Sequence, residues 1–289
     1  MTPDLSIRQA GRDDLDIMLS WAAGEGWNPG PHDADAFWAA DSQGFLLAEY
    51  KGEIAGGGTV VAYNDLMGFM GLFIMKPEFR GHGFGRDLWF HRRDTLLGRL
   101  APTGSIGLDA VEAMEPFYAS GGFERIHETT RFFGKIQKNL TQKHENLTPL
   151  SELPFEQVLD FDSGHFGVPR PGFLKAWFGA RGTHALASLD SNGNLLAMGS
   201  IRPGVERGFK IGPLFSKTPD AAGKVFFALA EFANGNEVII DIPSPNKAAC
   251  DLAQELNLEP LFTCARMYHG KPPPLPWTQI YGLTTFELG

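Results

Sequence analysis

The stretch RGHGFGRDLW, Arg80 to Trp89, sets glycines at 81, 83 and 85 beside arginine and directly ahead of an amphipathic run. A main chain this bare can bring several N–H groups against one ligand, and a helix start adds the positive end of its dipole. The ligand suited to that arrangement is an anion. Three readings compete. A P-loop needs GxxxxGK followed by Ser or Thr, a run the chain lacks. A dinucleotide fingerprint, G-x-G-x-x-G, belongs in the first βα turn, whereas this loop follows the fourth strand and its third glycine comes one residue early. The third reading is a flexible turn with no ligand.

The loop needs a frame. LSIRQA reads as an opening strand, and RDDLDIMLSWAA places Leu15, Met18, Leu19 and Ala22 at helical spacing, with Asp13 or Asp14 as its cap. GEGWNPGPHD is a loop and DADAFWAAD a short helix. GFLLAEY, EIAGGGTVVAYN and GFMGLFIM read as strands, the first turn being Lys51-Gly52. A helix then runs from about Phe84 to Arg99, followed by the strand SIGLDAV, the short helix MEPFYASGG and the closing strand FERIHETTRFFGK.

Residues 136–150 are polar without an apolar period, which divides the chain into domains at 1–138 and 146–289. The second half reads as a worn copy of the first. THALASLDSNGNLLAMGSI parallels GFLLAEYKGEIAGGGTV, and IIDI and RMYHG echo GLDA and RFFG. Where the first half has RGHGFGRDLW and FYASGGF, the second has TPDAAGKVFF and CDLAQELNL, so the copy lacks both the glycine loop and the tyrosine.

This element order resembles the GNAT superfamily of acyl-CoA N-acyltransferases. LFIMKPEFRGHGFGRDLW is similar to the family's acyl-CoA motif, and FYASGGF to its tyrosine-bearing helix; the likeness covers residues 5–135. GWNPG, GLDAV and the C-terminal IYGLTTFELG further resemble a tandem-GNAT subgroup. The resemblance implies an α/β (α+β) fold of two tandem GNAT-like domains, each a mixed, mostly antiparallel twisted sheet flanked by helices, the second degenerate. It implies acetyl-CoA as cosubstrate, its pyrophosphate on the N–H groups of Gly81, His82, Gly83, Phe84, Gly85 and Arg86, with Arg80 a further cofactor contact. The pantetheine arm would pair with the backbone of Phe73, Ile74 and Met75, where the fourth and fifth strands splay.

Acyl transfer from a thioester needs a neutral amine, a donor to the thioester oxygen and a proton for the leaving thiolate. A strand N–H near Ile74 or Met75 suits the donor role. The resemblance makes Tyr118 the proton source, a phenol of pKa about 10 that stays protonated until the thiolate forms; the alternative is a tyrosine packed in the core. The base stays open among Glu25, Asp109, Glu112 and His127. Many family members carry an asparagine seven residues before the tyrosine, and here Val111 stands there. Trp27 and Asn28 of GWNPG either stack on and orient an acceptor or plug the core, with Glu25 and Asp109 as further candidate acceptor contacts.

The expected function is an N-acetyltransferase moving an acetyl group from acetyl-CoA to a primary amine. Direct attack in a ternary complex is expected because neither Cys250 nor Cys264 lies near the motifs. The alternative is a non-catalytic acyl-CoA-binding sensor or regulatory protein. Small amine, amino acid, aminoglycoside and protein N-terminus all stay open as acceptors, and acyl length is unset. A net charge of -9 argues against a nucleic-acid partner and suits a cationic small molecule. A hydrophobic fraction of 43% with 20% charged residues describes a globular chain with a core. Eight dispersed histidines form no metal-binding spacing. The start of the chain lacks a signal-peptide run and no stretch is long enough to span a bilayer, so no membrane partner is expected and the cytoplasm is the default. That makes the sequons at Asn139 and Asn146 incidental. A homodimer is open.

Overall fold

Leu15, Met18, Leu19 and Ala22 are the buried residues of α1 (Arg12–Gly24), as their spacing requires. The cap differs from the expectation. Gly11 is the N-cap residue, and the Asp14 carboxylate reaches back to accept from its N–H at 2.8 Å. In this computed structural model, which describes residues 4–136 and 147–289, residues 137–146 of the linker, with Asn139 and Asn146, lie outside the described residues. The end of the linker departs from the expected loop: Leu147–Pro149 is a strand, β9, paired antiparallel with His184–Leu189. No helix among the described residues is long and apolar enough to cross a membrane.

In the first half, β1 (Leu5–Gln9), β2 (Phe45–Tyr50) and β3 (Glu53–Thr59) pair antiparallel. Their hairpin turns at Lys51 and Gly52, with φ of 51° and 84°, the two positive values that a tight hairpin demands. GFMGLFIM, expected as one strand, is two. β5 (Met67–Phe69) runs parallel to β7 (Ser105–Val111), while β6 (Ile74–Met75) pairs with β3 in another sheet. The chain changes sheets between them, with Leu72 at φ 45°. The residues before and after the break therefore diverge, and β6 is left as an edge strand. α3 (Phe84–Leu97) and α4 (Glu115–Ala119) follow as expected.

The second half repeats the plan. β10 (His184–Leu189), β11 (Leu195–Pro203) and β12 (Phe209–Ser216) form an antiparallel set, α7 (Pro219–Phe232) follows, and β13 (Glu237–Pro243) lies parallel to β12 as β7 lies parallel to β5. The closing strands are exchanged. β14 (Glu259–His269) of the second half lies against β7 of the first, and β8 (Glu124–Lys135) of the first lies against β13 of the second. The sheet reads β7-β14-β8-β13 across its centre, so hydrogen bonding is continuous from one half to the other. β15 (Ile280–Gly282) pairs with β12, in the groove corresponding to the one between β6 and β7.

Side chains lock the halves together. Phe173, Leu174 and Trp177 of α6 (Pro171–Gly179) share a core with Leu15, Met18 and with Phe37 of α2 (Asp33–Ala40). Arg202 of β11 donates to Asp33 at 2.8 and 2.9 Å, and Arg131 of β8 donates to Asp241 of β13 at 2.6 and 2.7 Å, both pairs buried.

Candidate active site

Between edge strand β6 and the wall made by β7, β14 and β8 lies a cavity of about 560 Å³. It opens where the chain changes sheets, and both halves line it. On one side stand Phe73, Ile74, Met75, Arg80, Gly81, Gly83, Gly85 and Arg86, all singled out by the sequence. Gly81 and Gly83 hold φ of 81° and 84°, conformations that a side chain strains, and nothing stands within 4 Å of where their Cβ atoms would be. Gly83 is the N-cap of α3 and offers no capping side chain; the Arg86 and Asp87 N–H groups donate to its carbonyl at 3.0 and 3.2 Å, which leaves those of Phe84 and Gly85 for a ligand. His82 and Phe84 are not part of the lining. The His82 ring stacks on Phe84, and Phe84 is buried against Tyr50 at 4.6 Å.

Tyr118 of α4 faces the same cavity. Its ring packs on Trp89 at a centroid distance of 4.5 Å, yet its hydroxyl has no hydrogen-bond partner among the described residues. Burial pushes the phenol up to about 12, against the pull of the nearby Arg92 cation. Arg92, a fully buried arginine of α3, was not anticipated. It donates to the Thr59 and Gly71 carbonyls at 2.7 Å each, clamping the end of β3 to the segment where the chain changes sheets. Burial pulls it down to about 10. The sequence did hold a signal: Arg92 follows Leu88 by four residues and precedes Leu96 by four, on the apolar face of its helix.

The opposite wall carries the charges. Asp109 lines the cavity but accepts two bonds of 2.8 Å from Arg266; burial lifts it above the usual carboxylate range, and Arg266 opposes the lift. Glu25 lines the cavity and is paired with Arg80. Trp27 also lines the cavity, and its carbonyl accepts from Arg131 at 2.7 Å. Glu287 was missed altogether. It arrives on the C-terminal segment, which crosses Gly71 so closely that a Cβ there would run into the Glu287 main chain. The segment is anchored by Tyr63, whose hydroxyl donates to the Leu288 carbonyl at 2.8 Å. The only hint in the sequence was the resemblance of IYGLTTFELG to the tandem subgroup.

Four expectations are corrected. Asn28 does not line the cavity: it is buried, donates to the Arg207 carbonyl at 2.8 Å and accepts from Glu206 N–H at 2.9 Å, so its amide is committed to a turn of the second half. His127 is buried on Trp277, outside the cavity, and burial followed by Arg266 drives it down to about 4. Glu112 is exposed on the short turn before α4, also outside. Cys264, placed far from the motifs by its number, lines the cavity because β14 lies beside β7. Burial and the carboxylates of Asp109 and Asp241 push its thiol well up, so it is held protonated and is a poor nucleophile.

The model of the Acetyltransferase (GNAT) family matches residues 12–123, and that of an Acetyltransferase (GNAT) domain matches residues 158–282, most of the chain between them. This chain belongs to the GNAT family. As a tandem GNAT protein it is similar throughout its length to a holothin acyltransferase of Pseudoalteromonas sp. (strain SANK 73390), 29% identical over 283 residues, 98% of this chain and 94% of that one. A proposed acetyltransferase from Pyrococcus horikoshii shares the fold with a TM-score of 0.83 at 24% identity, covering 100% of this chain and 97% of its own. A tandem GNAT protein of the clavulanic acid biosynthesis pathway, solved without acetyl-CoA, gives 0.65 at 14% identity over 93% and 99%.

The two GNAT domains differ where ligand chemistry is concerned. In the second, Thr218 caps α7 and its hydroxyl accepts from Ala221 N–H at 3.3 Å, while Asp220 pairs with Lys224. β15 occupies the groove beside β12, leaving a void of about 10 Å³ lined by Leu214, Ile240 and Tyr281 among others. In the first domain Val111 stays where many members have asparagine, and it lines the cavity with an apolar side chain.

Proposed function

We propose that this GNAT acyltransferase moves an acetyl group from acetyl-CoA to a primary amine, at one site per chain, in the first domain. The observation that carries the reading is Tyr118: a buried phenol with a free hydroxyl, in the same cavity as an unpaired strand edge and an uncapped glycine-rich helix start. Those features suit acyl-CoA, an anion joined to an amide-bearing arm that ends in a thioester. The N–H groups around Gly81 to Gly85 hold the pyrophosphate. The open edge of β6 pairs with the arm and donates to the thioester oxygen as charge develops there. Tyr118 gives its proton to the departing sulfur. Cys264, held as a thiol, supports direct transfer within a ternary complex.

The relative that acylates holothin supports transfer to a small molecule. A panel of amines offered with acetyl-CoA, monitored by thiol release and by product mass, tests the reading. It predicts release that depends on the amine and an acceptor heavier by one acetyl group. Binding of acetyl-CoA with no amine-dependent release across the panel would point to a sensor instead.

A further inference from the structure

Of the carboxylates lining the cavity, Glu25 is paired with Arg80 and Asp109 with Arg266. Glu287 is different. Its Oε2 accepts from the Thr285 hydroxyl, and its Oε1 has no donor among the described residues, although the residue is 2% exposed. A buried carboxylate with a free oxygen facing a cavity calls for a cationic or proton-bearing ligand. Resting on the acetyltransferase reading above, we propose that Glu287, supplied by the second domain, receives the acceptor's ammonium group and takes its proton, and that the acceptor is a small amine on an apolar ring skeleton with no anionic group.

The acceptor class follows from the walls. Trp27, Phe262 and Phe286 line the same side and are half-buried, with Phe262 and Phe286 at 5.7 Å from each other. The arginines there are occupied: Arg131 by Asp241 and the Trp27 carbonyl, Arg266 by Asp109. A carboxylate on the acceptor would therefore meet Glu287 and Asp109 beside arginines already paired; of the cations that keep an unpartnered nitrogen, Lys210 lies outside the cavity lining and Arg92 is held by the Thr59 and Gly71 carbonyls. The charged or titratable groups that face Glu287 are Arg131 on β8, Lys210 on β12, Cys264 on β14 and Asp109 on β7, with Asp241 on β13 in the same network.

The ammonium loses one proton to Glu287, and the amine nitrogen forms a bond to the thioester carbon. The carbon–sulfur bond breaks, the sulfur leaves with its electron pair and takes the Tyr118 proton. The second nitrogen proton, lost as the amide forms, restores Tyr118, and Glu287 releases its proton to water.

Glu287→Gln tests this, with tryptamine and tryptophan as acceptors. Expected are unchanged acetyl-CoA affinity by calorimetry, tryptamine binding weakened roughly 10-fold or more, and a turnover number lowered at least about 10²-fold near neutral pH. The loss should shrink as pH rises and the amine becomes neutral unaided. In the wild type, tryptamine should exceed tryptophan in kcat/KM by about 10²-fold or more. A Gln variant with wild-type turnover and pH profile overturns the assignment, and tryptophan as the equal or better acceptor overturns the acceptor class. Should that variant fail to fold, Thr285→Val removes the hydroxyl that steadies the carboxylate and must move the acidic limb of kcat/KM to higher pH; an unmoved limb overturns the proposal. A wild type inactive with every amine would instead bring down the acetyltransferase reading beneath it.

Discussion

Tyr118 joins two roles that the sequence could only set side by side. Its ring belongs to the core around Trp89, and its hydroxyl opens on the cavity. With the phenol raised to about 12 by burial, it carries its proton at neutral pH. Tyr118→Phe should lower the single-turnover rate about 10²- to 10⁴-fold, the span of general acid catalysis, with acetyl-CoA affinity unchanged. Wild-type turnover in that variant would return Tyr118 to the core alone. Cys264→Ala should retain turnover within a few-fold, and loss of activity there would revive an acyl-enzyme route. His127 carries a different consequence. Its folded value of about 4 lies below the ordinary 6.5, so between those pH values the unfolded chain binds a proton that the fold refuses. Stability should therefore fall as pH drops from about 6.5 to about 4, by at most about 3 kcal/mol from this group. Thermal melts of His127→Gln should show a shallower decline over that window; an unchanged decline would assign it elsewhere.

The glycine loop and α3 act as one element. Gly83→Glu puts a carboxylate where the pyrophosphate belongs, and at φ 84° it also strains the chain by about 1–2 kcal/mol. Acetyl-CoA affinity should vanish from calorimetry, whereas Gly83→Asn, which tolerates that backbone, should keep most of it. Retained affinity in Gly83→Glu would contradict the cofactor placement. Elements of this kind were legible because their signals are local: the apolar period of α1, the hairpin at Lys51-Gly52, the glycines ahead of α3. The break inside GFMGLFIM was not, because each piece pairs with a strand distant in sequence, β5 with Ser105, Ile106 and Gly107 of β7 and β6 with Gly56 and Gly57 of β3. Nothing in the run itself marks Leu72 as the residue that turns. Glu287 stayed hidden for the same reason, since the main-chain approach to Gly71 spans the length of the chain.

At the scale of the whole molecule, the two domains differ in what lies beside the strands that splay. β15 pairs with β12 in the second domain, and the segment after it lines the cavity of the first. One acetyl-CoA should bind per chain, and a calorimetric stoichiometry of two would contradict this. The exchanged strands also tie the domains into one folding unit. Asp33→Ala strands Arg202 as an unpaired buried cation and should cost about 3–5 kcal/mol, lowering the midpoint of a single transition. Two separate transitions would speak against the interlock. The most direct test of the central claim is a single-turnover experiment: protein loaded with one equivalent of acetyl-CoA, mixed with tryptamine, quenched and followed by mass spectrometry. The account predicts one equivalent of CoA thiol and one of N-acetyltryptamine appearing together, with no acetylated protein and no release when the amine is omitted. Thiol release at the same rate without amine, or acetyl groups left on the protein, would contradict it.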